Sequence, residues 1–230
     1  MTRRTELRDS WRRVSAQVAT ECIRHGRSPE DVTIIAVTKG HPMRDIEYLA
    51  EAGVTDIGES RDAEAHAKRT GIGSLPLRWH CIGQVQTNKA AKIVAWADVV
   101  HSVDRARVAQ ALAAAVPPGR QLDVLVQVNT DPQSPMPGPA RGGVSPADVA
   151  DLLSVVDNLT RLRLAGLMTV APLQTDATVG FKLVADLHRQ LQASHPGAHM
   201  FSAGMSGDFS QAIAAGATHL RIGTAILGSR

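Results

Sequence analysis

Residues 201–230 read FSAGMSGDFSQAIAAGATHLRIGTAILGSR, and they contain one local pattern twice. In each half a strand-like apolar run leads into a glycine-marked turn, and the turn opens a helix-like run. The turns place Ser206-Gly207 and Gly223-Thr224 where a helix would begin, so small residues with available backbone N–H groups lie at both starts. This arrangement suits a bound phosphate and predicts a protein of alternating strands and helices.

The rest of the chain continues the alternation. The apolar, β-branched, strand-like runs are 32–37, 54–57, 77–82, 98–103, 122–128, 162–170, 199–203 and 218–222. The helix-like runs between them are 43–52, 59–70, 86–95, 104–115, 146–157, 177–193 and 207–215. Eight such units in 230 residues favour one domain, residues 1–230, built as a closed (β/α)8 TIM barrel. An open doubly wound sheet is the alternative.

The N-terminal segment adds a helix to this barrel. Its larger apolar residues recur at helical spacing, at Leu7, Trp11, Val14, Val18 and Cys22. Gly26 and Pro29 end the pattern. Residues 1–28 are therefore predicted to hold an extra helix that packs on the barrel.

Composition excludes several classes of protein. Hydrophobic residues make up 43% of the chain and charged residues 20%, as in a globular protein, while the aromatic content of 3% requires an aliphatic core. The net charge of +3 reflects arginines near the N-terminus, without a basic stripe, which argues against a nucleic-acid partner. No apolar run approaches the ~20 residues of a membrane span. Cys22 and Cys81 fit a reducing compartment, so a cytoplasmic location is predicted.

Lys39 is the first candidate for chemistry. It follows the apolar run IIAVT and precedes Gly40, which places it at the carboxyl end of the first strand, where barrel enzymes build their sites. Partial desolvation there would lower the lysine pKa and leave the neutral amine that a Schiff base requires. With the phosphate-binding turns, Lys39 points to a phosphate-bearing aldehyde, for which pyridoxal phosphate (PLP) is the candidate. A Schiff-base aldolase acting on sugar phosphates is the alternative, and it would be colourless where a PLP protein is yellow.

Arg221 is the second candidate, because it lies within the eighth strand. A charged side chain facing a barrel interior needs a partner, and a salt bridge is one solution. If Arg221 instead faces a pyridine nitrogen, it cannot accept that proton, so the ring nitrogen stays neutral. The cofactor would then be a weak electron sink.

The remaining polar positions are less specific. Gly58-Glu59-Ser60 closes the second strand, and Ser60 would either cap the next helix or reach the site. His80 is interpreted as a buried, hydrogen-bonded histidine. The nine histidines lack HxH or HExxH spacing, so no metal site is expected. The Pro- and Gly-rich segment 129–143 is interpreted as a mobile loop above the barrel.

The chain resembles the pyridoxal phosphate homeostasis protein family, also called the proline synthase co-transcribed proteins, whose barrel is similar to the N-terminal domain of alanine racemase. The matching segments are AVTKGHP, DIGESRDAEAHAK, WHCIGQVQTNKAAKIV, HSVDR, GLMTVAP and SAGMSGDFSQAIAAGATHLRIGTAILGSR. The resemblance implies that Lys39 forms the internal aldimine with PLP and that Arg221 faces the pyridine nitrogen. It also implies that Ser206, Gly223 and Thr224 hold the phosphate.

Other parts of the resemblance concern the pocket and its departures from the family. Gly204 and Met205 lie in the same loop as Ser206 and are expected to shape the pocket. The family usually has asparagine where this chain has Ser60, so Ser60 is a cofactor-binding candidate with an altered contact. The loop 130–143 is longer than usual and has no assigned role, and Ala203 replaces a frequent methionine.

The resemblance implies a monomeric protein that binds PLP and maintains its free level, without evident catalysis, with PLP-dependent apoenzymes as possible partners. A PLP-dependent amino-acid racemase is the alternative function. Such a racemase needs an acid opposite Lys39, which alanine racemases take from a tyrosine of a partner subunit. The one tyrosine here, Tyr48, is predicted on the helix after the first strand, and the chain has no room for the second racemase domain.

Overall fold

The computed structural model of the protein describes residues 2–131, 142–172 and 176–229. Eight parallel strands pair in chain order, and the last strand closes onto the first to form a barrel. The strands are β1 Thr33–Val37, β2 Asp56–Glu59, β3 Arg78–Cys81, β4 Val99–Val103, β5 Leu122–Val128, β6 Leu162–Thr169, β7 Met200–Ser202 and β8 His219–Ile222. The predicted TIM barrel is confirmed, and the open-sheet alternative is wrong.

Helices cover the outside of the barrel. They are α1 Arg3–Arg24, α2 Met43–Glu51, α3 Asp62–Ile72, α4 Ala90–Val94, α5 Ala106–Ala115, α6 Val149–Asp157, α7 Ala177–Ser194, α8 Phe209–Ala214 and α9 Thr224–Leu227. Several of them begin later than predicted. Glu59 belongs to β2 and α3 starts at Asp62, and the run 146–157 begins with a 3-10 turn, Pro146–Asp148, before α6. The run 86–95 begins with a 3-10 turn, Thr87–Lys89, so that α4 is shorter than expected. The helix start expected at Gly223-Thr224 is present as α9, although the predicted helix-like runs did not include it, because one helical turn is too short to show a periodic pattern.

The predicted N-terminal helix is confirmed as α1, which packs against α2, α8 and α9. Its buried side chains are Leu7, Val14, Val18 and Cys22. The Arg3 guanidinium ties three segments together, because it donates to the Asp45 carboxylate at 2.7 Å and to the Leu227 carbonyl at 3.0 Å. The helix therefore supports the end of the chain that follows β8.

The core has two parts. The larger part lies between the strands and the helices, as expected for a barrel whose strands are apolar on both faces. A smaller apolar cluster holds Val99, Leu125, Ala165, Met168 and Met200. Polar side chains are also buried in the barrel interior, where they join strands that are not neighbours.

Several predictions about the chain as a whole have a more limited outcome. No helix in residues 2–131, 142–172 and 176–229 is long and apolar enough to cross a membrane. Both cysteines are buried and unpaired. In the predicted loop, residues 132–141 lie outside the described residues. The single-domain organisation stays a prediction.

Candidate functional site

A cavity of ≈ 510 Å³ opens at the carboxyl ends of the strands. It brings together six of the predicted cofactor-binding residues, which are Lys39, Met205, Ser206, Arg221, Gly223 and Thr224. The cavity wall also contains His41, Ile82 and Met168, to which the sequence analysis gave no role. Residues far apart in sequence therefore meet in one concave site, as expected where each one follows or ends a parallel strand.

Lys39 lies just beyond β1, in a turn whose two flanking residues are held by one buried cluster. The Thr38 hydroxyl donates to Glu59 Oε1 at 2.7 Å, and the Gly40 backbone N–H donates to Glu64 Oε1 at 2.5 Å. Lys68 joins the two carboxylates. The backbone on both sides of Lys39 is thus fixed by side chains from β2 and α3.

Lys68 has an unusual environment for a lysine. It is 5% exposed, and its ammonium donates to Glu59 at 2.7 Å, to Glu64 at 2.6 Å and to the Thr38 carbonyl at 2.8 Å. These contacts use all three ammonium donors. Burial raises the pKa of Glu59, whereas hydrogen bonds from Lys68 and Gly40 outweigh burial and lower the pKa of Glu64.

The two glycine-marked turns meet on the other side of the cavity. The Thr224 hydroxyl donates to Ser206 Oγ at 3.2 Å, and the Ala225 N–H donates to the same oxygen at 3.4 Å. Among hydrogen bonds between described residues, none is donated by the backbone N–H of Ser206, Gly207 or Thr224. Hydroxyls and N–H groups thus converge on one corner of the cavity, as a phosphate site requires.

Gly204 and Ser60 are placed differently from the other predicted site residues. Gly204 has a φ of +89°, and a Cβ at this position would lie 2.6 Å from the Ala212 Cβ, so only glycine fits this turn. Its carbonyl accepts from the Arg221 N–H at 2.9 Å, so Gly204 shapes the turn beside the cavity. Ser60 lines a second cavity, of ≈ 410 Å³, together with Cys81.

Arg221 is buried at the cavity, with 4% of its surface exposed. Its guanidinium donates to Ser202 Oγ at 2.6 Å and to the Thr169 carbonyl at 2.8 Å. No carboxylate of the described residues lies within ion-pair distance, so the salt bridge considered from the sequence is not formed there. Burial lowers the pKa of Arg221 to about 10, which leaves it charged at neutral pH. A buried cation with no described carboxylate in ion-pair contact favours ligands that are anionic or accept hydrogen bonds.

Tyr48 does not contribute to this cavity. It lies on α2, where its hydroxyl accepts from Arg44 Nε at 2.9 Å, and it borders a surface depression beside α1. The side chain that a racemase would place opposite Lys39 is therefore not supplied by the Tyr48 of the same chain.

His80 is buried and hydrogen-bonded, as predicted, to Asp56 and His101. His219 lies nearby, with its ring centroid 6.4 Å from that of His80. Burial lowers the pKa of His219 to about 3. Burial also lowers the pKa of His80 and of His101, so all three rings are neutral in the folded protein at physiological pH.

We expect the His219→Gln variant to lose less stability on acidification than the wild type. The unfolded histidine binds a proton below its ordinary pKa of about 6.5, but the folded one does not until about pH 3. The unfolded state alone is therefore stabilised as pH falls through this window. Between pH 6 and 5 the free energy of unfolding of the wild type should fall by about 1 kcal/mol more than that of the variant. Urea unfolding at both pH values measures this difference. The control variant His66→Gln changes an exposed histidine and should behave as the wild type does. An equal change in the free energy of unfolding in all three proteins would contradict the prediction.

Comparisons with known proteins place this barrel in a family. The sequence-family model of the alanine racemase N-terminal domain matches residues 19–230 of this chain. The pyridoxal phosphate homeostasis protein of Corynebacterium glutamicum is 36% identical over 225 residues, which cover 94% of this chain and 99% of the relative. The chain belongs to the pyridoxal phosphate homeostasis protein family. The resemblance noted from the sequence motifs is thus confirmed over nearly the whole length.

Solved structures agree with this membership. A protein of unknown function from Bifidobacterium adolescentis has a TM-score of 0.89 and 30% identity, over 97% of this chain and 95% of the other. PipY of Synechococcus elongatus, solved with PLP bound, has a TM-score of 0.78 and 33% identity, over 92% of this chain and all of PipY. Both solved structures therefore share the barrel of this chain and are at least 30% identical to it in sequence.

Proposed function

We propose that this protein holds pyridoxal 5'-phosphate in the ≈ 510 Å³ cavity and acts in cellular PLP homeostasis. The observation that carries the proposal is that Lys39, the buried guanidinium of Arg221 and the paired hydroxyls of Ser206 and Thr224 all line this one cavity. They provide an amine for an aldehyde, a donor for a ring acceptor and donors for a phosphate. The PLP bound by PipY supports the same ligand here.

Each group has a distinct task. Bound in the cavity, PLP would supply an aldehyde that condenses reversibly with the Lys39 amine. Ser206, Thr224 and the backbone N–H groups of their turns would hold the phosphate. The helices that begin there have only six and four residues, so local hydrogen bonds carry this binding rather than a long helix dipole.

Arg221 favours binding over catalysis. A guanidinium can only donate hydrogen bonds, so it would bind the pyridine nitrogen as a neutral acceptor. A neutral ring stabilises negative charge poorly, and that stabilisation is what PLP enzymes require. Tyr48 lies outside the cavity of its own chain, so it could serve as the racemase acid only from a partner subunit. The neutral ring is what supports a non-catalytic carrier over the racemase alternative.

A reversible bond suits a protein that takes up and releases a cofactor. We propose that the monomeric protein in the cytoplasm buffers PLP and that PLP-dependent apoenzymes receive it. The relatives named as homeostasis proteins support the buffering role. Transfer is measurable as the rate at which a PLP-free enzyme regains activity when mixed with the loaded protein, compared with an equal amount of free PLP.

The deciding experiment is the visible spectrum of the purified protein, incubated with PLP and then treated with borohydride. We expect a yellow band that reduction bleaches, followed by recovery of a reduced PLP adduct on the peptide containing Lys39. A protein that stays colourless after incubation would overturn the proposal and favour the Schiff-base aldolase. Racemase activity is tested on the same sample with L-alanine at high protein concentration.

We expect Ser206→Ala to weaken PLP binding by about 10- to 100-fold, since a hydrogen bond to a charged group contributes about 1.5 to 3 kcal/mol. The loss should be specific to the phosphate. Titration with pyridoxal, which lacks the phosphate, should therefore give the same affinity for the variant and the wild type. An equal loss for both ligands would show that Ser206 acts on the fold of the turn rather than on the phosphate.

A further inference from the structure

A continuous row of polar side chains crosses the barrel interior below the cavity. Its members are Asp56 on β2, His80 on β3, His101 on β4, Ser202 on β7 and Arg221 on β8. Both histidines and Ser202 are fully buried, with 0% exposure. Only the last member of the row, Arg221, lines the cavity. Buried polar groups are costly unless they are hydrogen-bonded, so such a row in a barrel core needs an explanation.

Every neighbouring pair in this row is hydrogen-bonded. Asp56 Oδ1 lies 2.8 Å from His80 Nε2, and His80 Nδ1 lies 2.8 Å from His101 Nε2. His101 Nδ1 is 2.9 Å from Ser202 Oγ, which lies 2.6 Å from Arg221 Nη1. We call these five residues the interior relay. It connects the carboxylate of Asp56 with the guanidinium of Arg221 without a break.

The chemistry of the two ends fixes the direction of every bond. The Asp56 carboxylate can only accept, so His80 Nε2 carries a proton and donates it. Because burial lowers the pKa of His80 and His101, both rings are neutral, and each has one donor and one acceptor. His101 Nε2 therefore donates to His80 Nδ1, and the Ser202 hydroxyl donates to His101 Nδ1.

The other end of the relay gives the same answer. The Arg221 guanidinium can only donate, so Ser202 Oγ accepts from it and has its own proton available for His101. All donors consequently point toward Asp56, and every negative dipole end points toward Arg221. Hydrogen bonds aligned in this way strengthen one another and stabilise both terminal charges.

The relay also explains how Arg221 stays charged in the core. Asp56 is the carboxylate at its far end, and the hydrogen bonds from His80 and Thr55 lower the pKa of Asp56 despite burial. Arg221 uses two of its five N–H donors on Ser202 and Thr169. Its other donors have no partner among the described residues and remain for a ligand in the cavity.

We propose that Asp56, His80, His101 and Ser202 are positioning residues, which hold Arg221 charged and oriented so that it donates to the ring acceptor of the cavity ligand. The inference rests on the proposed function only for the identity of that ligand. Ser202 contacts Arg221 directly, whereas Asp56 acts through three intervening side chains. A remote effect of Asp56 is therefore what distinguishes a relay from a local contact.

The first test uses the protein without any cofactor. Long-range proton–nitrogen NMR of the ¹⁵N-histidine-labelled chain reports the protonation state of each ring. We expect His80 and His101 to be neutral at pH 7, each with its proton on Nε2. A proton on Nδ1 of either ring, or two protons on one ring, would overturn the relay. This result is independent of PLP, so it separates failure of the relay from failure of the proposed function.

The second test compares variants in PLP titration. Ser202→Ala should weaken binding about 10-fold, and Asp56→Asn, which keeps an acceptor for His80 but removes the charge, about 3-fold. Both should shift the absorption maximum of bound PLP. His219→Gln, a buried histidine outside the relay, should leave affinity and spectrum unchanged. Wild-type affinity and spectrum in Asp56→Asn would overturn the proposal.

If the wild type binds no PLP, crystal structures of unliganded Ser202→Ala and Asp56→Asn test the proposal instead. An Arg221 side chain in its wild-type position in both variants would show that these residues do not orient it.

Discussion

Lys39→Ala is expected to remove the yellow band of the PLP-loaded protein completely and to prevent capture of PLP by borohydride. The reason is chemical, because alanine has no amine to condense with the aldehyde. The phosphate-binding turns and Arg221 would remain, so weak noncovalent binding should persist. We expect the affinity for PLP to fall by at least about 100-fold, a loss of about 2.7 kcal/mol. Absorbance titration and equilibrium dialysis measure the two effects separately.

Two matched variants make the Lys39 result specific. Lys39→Arg keeps a positive charge but cannot form the covalent bond, so it should also be colourless. Lys182→Ala removes an exposed lysine of α7 and should retain the band and the affinity. A yellow Lys39→Ala protein, or a reduced adduct that maps to another lysine, would show that the cofactor is attached elsewhere.

Much of this site was predictable because parallel strands impose a common direction. Lys39, Ser206 and Gly223 each follow a strand-like run, and in a β/α barrel the carboxyl ends of all strands lie at one end. Eight buried, β-branched runs were enough to predict the closed barrel. The position of these residues relative to their own strands therefore placed them together without knowledge of any tertiary contact.

Other features depend on side-chain directions that the sequence does not encode locally. Ser60 immediately follows β2, yet it lines a different cavity, where it packs closely against the backbone at Gly83. The contact of His101 with Ser202 crosses the barrel interior between strands that are not neighbours. The residues of such pairs are recognisable as strand residues, but their partners depend on strand tilt and register around the closed barrel.

The cluster formed by Lys68, Glu59 and Glu64 was predictable from the sequence only in part. Glu64 and Lys68 are four residues apart in a predicted helix, a spacing that indicates an ion pair on one helical face. This pattern is usually found at the surface, where such a pair contributes little. Only the fold shows that the pair is joined by the fully buried Glu59 and packed beneath the Lys39 turn. Burial changes the expected energy of the interaction more than its sequence pattern can indicate.

Lys68→Met is expected to lower the free energy of unfolding by about 3 to 5 kcal/mol, since it leaves the buried carboxylate of Glu59 without its cationic partner. Methionine is close to lysine in length, so the loss reflects charge and hydrogen bonding more than a cavity. Glu64 and the Thr38 carbonyl lose a donor in the same change. Urea unfolding at neutral pH measures the effect, with Lys182→Met as the surface control.

The double variant Lys68→Met, Glu59→Gln distinguishes an unpaired charge from lost packing. Removing the Glu59 charge as well should recover at least about 1 kcal/mol of the stability lost in Lys68→Met. If the double variant is instead less stable than the single one, packing rather than charge accounts for the loss.

PLP binding gives a second measure of what Lys68 does. Thr38 and Gly40 flank Lys39, and both are hydrogen-bonded to this cluster, so Lys68→Met should slow capture of PLP even where the protein is fully folded. Unchanged capture would show that the Lys39 turn keeps its geometry without Lys68.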